Sequence, residues 1–251
     1  MKVFFHQDFY RVYTSDPAAA AGRMESVVSA LEGEADFLEP APASREEILA
    51  AHTPAHVRQV ETMGLYGIAA LAAGGAVAAA RAGMEAPAFA AIRPPGHHAS
   101  ADSAWGFCFF NNMAVALLSL KNQGLIQTAH VLDFDLHFGD GNVNILKPLG
   151  WVSIHNPDAA DRAGYLDQVE QELSVAEADV FAVSAGFDNH MDDWGGTLAT
   201  EDYQEMGRMA AAAAKKRGAG CFGVLEGGYN HAMLGQNALA FVKGMQEGWE
   251  G

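Results

Sequence analysis

Short apolar runs alternate with segments of helical periodicity along most of the chain, and this alternation restricts the fold more than any other feature. The predicted strands are Lys2–Phe5, Ala88–Ile92, Ala129–Phe134, Val152–Ile154, Val180–Ser184 and Phe222–Leu225. The predicted helices are Arg23–Leu31, Arg45–Ala51, Ala55–Met63, Ile68–Arg81, Asn112–Lys121, Tyr165–Leu173, Glu201–Arg217 and Leu234–Gln246. Strands that alternate with helices usually form a parallel sheet covered by helices on both faces. We therefore predict an α/β protein with three layers, α/β/α, around a central and mainly parallel sheet.

The chain is long enough for one sizeable core. It has 251 residues, of which 50% are hydrophobic, and it contains no repeat, no low-complexity linker and no clear boundary. A chain of this length and composition suits one large α/β domain better than two small ones. We predict a single domain over residues 1–251.

Four of the predicted strands lead directly into clusters of polar residues. These clusters are RPPGHH at 93–98, DFDLH at 133–137, GFD at 186–188 and EGGY at 226–229. In open parallel sheets, ligands bind outside the carboxyl ends of the strands. Because parallel strands present their carboxyl ends at the same edge, we expect all four clusters to meet there and form a functional site.

Asp135 and His137 are the first candidate metal ligands. Residues two apart in a strand point the same way, so both side chains could face one ion, and Asp133 belongs to the same face. The third ligand must come from another segment, for which Asp188 is the best candidate. Two carboxylate oxygens and one imidazole nitrogen suit Zn²⁺ or Fe²⁺, and three protein ligands leave room for water and substrate. An Asp-X-His pattern alone is weak evidence for a metal site, because it is more often part of a helix cap or a structural loop carboxylate.

The other clusters contain candidate acid–base groups. His97 and His98 follow a rigid Pro-Pro-Gly turn, and two adjacent imidazoles at a strand end favour proton transfer. Asp133 and Asp140 could each orient one imidazole. Tyr229 follows two glycines, so its hydroxyl could donate a hydrogen bond to a developing oxyanion. Taken alone, Tyr229 would be better interpreted as a buried aromatic residue.

Charge and motif content exclude several function classes. The formal net charge is −16, which repels nucleic-acid phosphates and argues against DNA or RNA as a partner. The same charge would attract a cationic substrate, although acidic surfaces are common in soluble proteins. The chain has no Gly-X-Ser-X-Gly elbow, no Walker loop and no Gly-X-Gly-X-X-Gly fingerprint. Serine hydrolase and nucleotide-binding functions are therefore disfavoured.

Two observations bear on localisation. The segment Met63–Ala80 is uncharged and long enough to span a membrane, but it consists mostly of alanine and glycine. We interpret it as a loop followed by a buried helix and expect no membrane association. The N-terminus is polar too early for a signal peptide, and Cys108 and Cys221 lie among apolar residues. Two buried free thiols fit a reducing environment, so we predict a cytoplasmic protein.

Five segments in one order resemble the histone deacetylase superfamily, which includes bacterial acetylpolyamine amidohydrolases. They are RPPGHHA (93–99), GFCFFNN (106–112), DFDLHFGDGN (133–142), SAGFD (184–188) and LEGGY (225–229). The resemblance implies an arginase/deacetylase-like fold and hydrolysis of the amide of an acylated amine, either a small molecule or a peptide. Acetyl-lysine, an acetylpolyamine or a related acyl amide would be the substrate. The implied cofactors are Zn²⁺, or Fe²⁺ in its place, and K⁺.

The resemblance also implies residue roles. The metal ligands would be Asp135, His137 and Asp188. The catalytic groups would be His97, His98, Asp133, Asp140 and Tyr229. The substrate would contact Gly106, Phe107 and Trp194, the last at the gatekeeper position. The monovalent cation would bind Asp133, Asp135, His137, Ser153 and Ile154.

The sequence departs from the family pattern around the predicted rim of the site. Phe138 stands where relatives have a second histidine, two connecting segments are short, and the dimerisation insertion of the polyamine group is absent. We therefore predict a more open rim, with homo-oligomerisation left open. The alternatives are ester or guanidino hydrolysis and a silent acyl-ligand binding protein. A guanidino hydrolase of the arginase kind needs a second metal, and the sequence shows one full ligand set.

Overall fold

The computed structural model describes all residues from 1 to 251. It contains seven strands and nine α-helices. The strands are β1 Lys2–Phe4, β2 Asp36–Leu38, β3 Ala88–Ala90, β4 Ala129–Asp133, β5 Val152–His155, β6 Val180–Ala185 and β7 Gly220–Leu225. The helices are α1 Arg23–Leu31, α2 Arg45–Ala51, α3 Pro54–Thr62, α4 Tyr66–Gly83, α5 Asn112–Asn122, α6 Asp140–Leu146, α7 Arg162–Val175, α8 Thr200–Arg217 and α9 His231–Glu250. Three short 3-10 helices lie at 7–10, 17–19 and 147–149.

The strands form one sheet in the order β2-β1-β3-β7-β6-β4-β5, and every pair is parallel. Strands β3, β7, β6 and β4 are therefore consecutive neighbours. These are the strands that lead into the four polar clusters. The predicted parallel sheet is confirmed, and it places all four clusters side by side at one edge.

Helices cover both faces of the sheet, as strand β7 shows. A Cβ atom on Gly223 would lie 2.8 Å from the Phe241 ring of α9, and one on Gly83 of α4 would lie 2.9 Å from the Cβ of Phe222. Because successive strand residues face opposite sides, α4 and α9 lie on opposite faces. The predicted three-layer arrangement is confirmed.

Helix α4 packs closely against its neighbours through small residues. A Cβ atom on Gly74 would lie 2.0 Å from the carbonyl oxygen of Ala41, and one on Gly75 would lie 2.6 Å from the Ile92 side chain. Glycine is therefore required at both positions for the helix to approach this closely. No helix of the chain is both long enough and apolar enough to cross a bilayer.

Replacement of Gly74 by alanine is expected to destabilise the fold by about 1–3 kcal/mol, because overpacked cores lose stability in this range. The new methyl group would meet backbone atoms of Ala41 and Ala43, which cannot rotate away. Gly67 on the same helix is the matched control, since nothing lies within 4 Å of its Cβ position. Alanine there should stabilise the helix by up to about 1 kcal/mol. Denaturant unfolding of both variants measures the two effects, and shifts of the same sign would contradict this account.

Two elements escaped prediction. Strand β2 is only three residues long, and two of them are exposed, so it has no apolar run. Helix α6 begins at Asp140, inside the stretch DFDLHFGDGN, where polar residues and glycines hide the helical pattern. Both omissions leave the predicted fold unchanged, because β2 is an edge strand and α6 follows β4 directly.

Candidate active site

The four polar clusters contact one another directly at the carboxyl edge of the sheet. The N–H group of Gly227 donates to Asp135 Oδ2 at 2.8 Å, and the N–H group of Leu136 donates to Asp188 Oδ1 at 3.1 Å. The N–H group of Gly96 donates to Glu226 Oε2 at 2.6 Å. Each cluster is therefore held in place by its neighbours, and the predicted convergence is observed.

Asp135, His137 and Asp188 form a compact group in which the potential ligand atoms all lie within 4.8 Å of one another. His137 Nδ1 lies 3.2 Å from Asp135 Oδ1 and 3.0 Å from Asp188 Oδ2. These residues lie together as expected, but strand periodicity is not the reason. Strand β4 ends at Asp133, so Asp135 and His137 lie in the following loop. Their proximity results from a tight turn in which the His137 N–H group donates to Asp135 Oδ1 at 2.9 Å.

The electrostatics of this group favour a bound cation. Burial and the charge of Asp135 raise the pKa of Asp188 to about 6. Burial also acts to raise the pKa of Asp135, but His97 and the hydrogen bonds from His137 and Gly227 keep it below its ordinary value. Asp188 Oδ2 is buried and has no aligned hydrogen-bond donor. Two close buried carboxylates and one imidazole nitrogen thus fit a single divalent ion.

The two histidines of the Pro-Pro-Gly turn lie beside this group. Each is only 3% exposed, and their ring centroids are 4.0 Å apart. His98 Nδ1 lies 2.7 Å from Asp140 Oδ1, and His97 Nδ1 lies 3.4 Å from Asp133 Oδ2. Both predicted imidazole–carboxylate pairs are therefore brought together.

The two imidazoles differ in their pKa. Burial and the positive charge of His97 lower the pKa of His98 to about 4, although Asp140 opposes the shift. Burial disfavours the charged form of His97 too, but Asp135 and Asp133 outweigh it and raise the pKa of His97 well above its ordinary value. A cation held by Asp135 would weaken that effect, because it compensates the carboxylate charge. In the metal-free site, the pKa values of the two rings are therefore shifted in opposite directions.

Tyr229 is fixed by contacts on several sides. Its ring stacks on Trp194 at a centroid distance of 4.0 Å and meets the edge of Phe107 at 5.9 Å. Asp193 Oδ2 accepts the N–H groups of Tyr229 at 2.8 Å and of Asn230 at 2.7 Å. Burial raises the pKa of Tyr229, so its hydroxyl stays protonated and can donate a hydrogen bond. The aspartate and tryptophan of one loop therefore hold both the backbone and the ring of this tyrosine.

The predicted substrate contacts surround the same point. Gly106 and Phe107 both have positive φ, at 57° and 67°. A Cβ atom on Gly106 would lie 2.3 Å from His98 Cδ2, so only glycine allows the chain to pass this close. The Trp194 ring meets His137 edge-on at 5.9 Å. Trp194 thus contacts the potential metal ligand His137, whereas Gly106 lies against His98 and Phe107 against Tyr229.

The predicted monovalent-cation residues are brought together only in part. Asp133, Asp135 and His137 are adjacent, and the Asp135 N–H group donates to Asp133 Oδ1 at 3.4 Å. Ser153 and Ile154 lie on edge strand β5. The exposed Ser153 hydroxyl pairs with His130 Nδ1 at 2.9 Å. The cation site therefore stays a prediction.

Sequence reasoning assigned no role to several residues that support the site. Glu226 is fully buried and accepts the N–H groups of Gly96 and His97, and burial raises its pKa to about 7. Arg23 of α1 donates to the carbonyl oxygens of Glu226 at 2.6 Å and Gly228 at 2.9 Å. Glu226 could have been found, because it begins the fourth cluster. Arg23 could not, because more than two hundred positions separate it from its partners.

A third supporting residue lies in helix α6. Asn142 Nδ2 donates to Asp133 Oδ2 at 2.9 Å and to Ser184 Oγ at 3.1 Å, which ties the second and third clusters together. The fourth is Trp105, whose indole stacks on His98. Asn142 falls within the quoted motif, so its position alone was a signal.

Comparison with known proteins agrees with this geometry. The family model described as histone deacetylase domain matches residues 62–160 and 151–245. A protein of Archaeoglobus fulgidus named "probable deacetylase" is 34% identical to this chain, over 87% of this chain and 74% of its own length. The chain belongs to the histone deacetylase family. A Mycoplana ramosa family member named acetylpolyamine amidohydrolase is 31% identical over 63% of this chain and 56% of its own length.

The histone deacetylase fold is also found by structural comparison. The crystal structure of acetylpolyamine aminohydrolase from Burkholderia pseudomallei superimposes with a TM-score of 0.82, covering 99% of both chains at 24% identity. The predicted superfamily, arginase/deacetylase-like fold and class of enzyme are confirmed. The metal, the substrate and the residue roles are matters of chemistry that the fold alone does not decide.

Proposed function

We propose that this protein is a zinc-dependent deacetylase that hydrolyses the amide of an acylated amine to a carboxylate and an amine. One observation carries the proposal: three potential metal ligands, an imidazole–carboxylate pair and a half-buried tyrosine meet at one edge of the sheet. The His98 and His137 rings are 5.9 Å apart, and Trp194 touches both His137 and Tyr229. Family membership supports the same class of reaction.

Asp135, His137 and Asp188 would hold the metal. When bound there, a divalent ion acts as a Lewis acid and lowers the pKa of a coordinated water. Three protein ligands of this kind are typical of catalytic rather than structural zinc sites. The same ligand set accepts Fe²⁺, so the choice of metal is part of the test.

His98 would move the proton. Its Nδ1–H group donates to Asp140, which leaves Nε2 without a proton and fixes the tautomer. Nε2 would take the proton from the attacking water and later deliver it to the departing amine nitrogen. His97, held near Asp133, would contribute orientation and electrostatic stabilisation beside the reacting carbonyl. Because the two rings are adjacent, their measured pKa values will belong to the pair.

Tyr229 would stabilise the oxyanion and the rim would select the substrate. The Tyr229 hydroxyl would donate a hydrogen bond to the carbonyl oxygen as negative charge develops. Gly106 and Phe107 would contact the acyl group, and Trp194 the amine side. Phe138 and Trp194 at the rim are 60% and 53% exposed, which suits a substrate whose amine side remains near solvent. The net charge of −16 favours amines that carry a positive charge, such as acetyl-lysine or an acetylpolyamine.

A substrate panel with controlled metal content tests the proposal. Acetyl-lysine peptides, acetylpolyamines and longer acyl-lysines are assayed with the metal-free protein and after addition of Zn²⁺ or Fe²⁺. At least one amide should be hydrolysed, turnover should disappear on metal removal, and Zn²⁺ should restore it. Unchanged turnover in the metal-free protein would refute the mechanism. Hydrolysis of esters alone would indicate a different metallohydrolase, and binding without turnover a silent acyl-ligand protein.

A further inference from the structure

A half-exposed tryptophan lies directly on His98. The indole of Trp105 and the imidazole of His98 have centroids 3.8 Å apart and an interplanar angle of 31°. The indole Nε1–H group donates to Asp140 Oδ2 at 2.9 Å. The other oxygen of the same carboxylate pairs with His98 Nδ1 at 2.7 Å. Trp105 therefore contacts both members of the pair at once.

The local backbone explains how Trp105 reaches this position. The Cys108 N–H group donates to the Trp105 carbonyl oxygen at 3.0 Å, which closes a tight turn. Gly106 and Phe107 inside the turn both have positive φ, and Gly106 passes directly against the His98 ring. The turn thus places Trp105 over His98 on one side and Phe107 against Tyr229 on the other.

We propose that Trp105 is a positioning residue that holds the His98 ring and the Asp140 carboxylate in one fixed arrangement. This inference rests on the proposed function, in which His98 transfers the proton. The indole acts through two contacts, a stacked face against the imidazole and a hydrogen bond to the carboxylate oxygen that His98 does not use.

The two contacts act on the more exposed side of the His98–Asp140 pair. On its other face His98 is already restrained by His97 and Gly106, whereas the Asp140 side chain is 34% exposed. Without the indole hydrogen bond, that carboxylate can rotate toward water, and His98 loses the partner that sets its tautomer. Misplacement of a catalytic group by about 1 Å can cost about 10²-fold in rate.

The alternative role for Trp105 is a substrate contact, because its side chain lies at the surface of the site and the residue is 55% exposed. The two roles separate kinetically. A lost substrate contact raises KM with little change in kcat, whereas a displaced base lowers kcat with little change in KM.

Two variants of the zinc-loaded protein test the proposal. Trp105→Leu removes both contacts and is expected to lower kcat about ten- to fifty-fold with KM changed less than about two-fold. Trp105→Phe keeps a stacked ring but lacks the N–H group, so kcat should fall only about three- to five-fold. Trp151→Leu is the control. Trp151 comes directly before β5, at the amino ends of the strands and away from the site, and packs on Lys121. Its kcat should match that of the wild type.

A second readout does not depend on turnover. Carbethoxylation of His98 by diethyl pyrocarbonate, followed by peptide mass mapping, reports how well the ring is held and covered. Modification should be at least about five-fold faster in Trp105→Leu than in the wild type and unchanged in Trp151→Leu. Wild-type kcat and wild-type protection in Trp105→Leu would overturn the proposal, as would a rise in KM alone. If the wild-type protein hydrolyses no acyl amine, the proposed function fails, and the modification rates still decide whether Trp105 holds His98.

Discussion

Replacement of Asp188 by asparagine is expected to empty the metal site and to lower turnover by at least about 10³-fold, because a catalytic metal supplies several kcal/mol of charge stabilisation. Asp188 Oδ2 is buried without an aligned hydrogen-bond donor and lies 3.0 Å from His137 Nδ1. A cation bound by both atoms would satisfy the unpaired carboxylate oxygen. A neutral amide is a weak ligand in its place. Metal content per chain, measured by plasma mass spectrometry, and turnover on the best acyl amide should fall together.

Folding should not obscure this result. In the metal-free protein, Asp188 and Asp135 are two buried carboxylates whose repulsion contributes to the raised pKa of Asp188. Removing one charge should therefore leave the unfolding midpoint of the metal-free protein unchanged or slightly raised. The exposed Asp167→Asn on α7 is the matched control and should keep both metal and activity. An Asp188→Asn variant with full metal content would show that the metal is held elsewhere.

Replacement of Tyr229 by phenylalanine is expected to lower kcat by about 10²–10³-fold, the range found when a single oxyanion donor is lost. KM should change little, because the hydroxyl acts mainly on charge that develops in the transition state. The ring would keep its stack on Trp194 and its contact with Phe107, so the geometry of the site should survive.

Steady-state kinetics of Tyr229→Phe measure this effect. Tyr10→Phe is the control, because Tyr10 is 36% exposed and lies outside the site. Metal content should be normal in both variants, which separates the loss from that of Asp188→Asn. A Tyr229→Phe enzyme with wild-type kcat would remove the hydroxyl from the mechanism. The metal ion would then be the main group stabilising the oxyanion.

In the proposed mechanism, the loop that carries Asp193 and Trp194 would link substrate choice to catalysis. Asp193 holds the backbone of Tyr229 while Trp194 stacks on its ring, so the predicted gatekeeper also supports the proposed oxyanion donor. Substitutions made in this loop to change specificity should therefore alter kcat as well as KM.

Local patterns in the sequence were sufficient to predict the fold class and the four polar clusters that meet at the carboxyl edge of the sheet. Apolar runs followed by polar clusters specify buried parallel strands and what lies at their ends, because burial on both faces and the strand-end position are readable from a few neighbouring residues. The sequence pattern did not predict why Asp135 and His137 lie close together. Strand β4 ends before them, and a turn that strand periodicity does not describe brings them together.

The sequence by itself determined the three-layer parallel fold, the family and the grouping of Asp135, His137 and Asp188 with His98 and Tyr229. Only the tertiary structure decided that Arg23 and Glu226 tie the clusters together, that Trp105 covers His98, and that the Ser153 hydroxyl pairs with His130. The physical reason is the sequence separation over which the interactions act. Strand ends and turns depend on interactions between near neighbours, whereas these contacts join distant segments whose packing sets side-chain directions that no local pattern encodes.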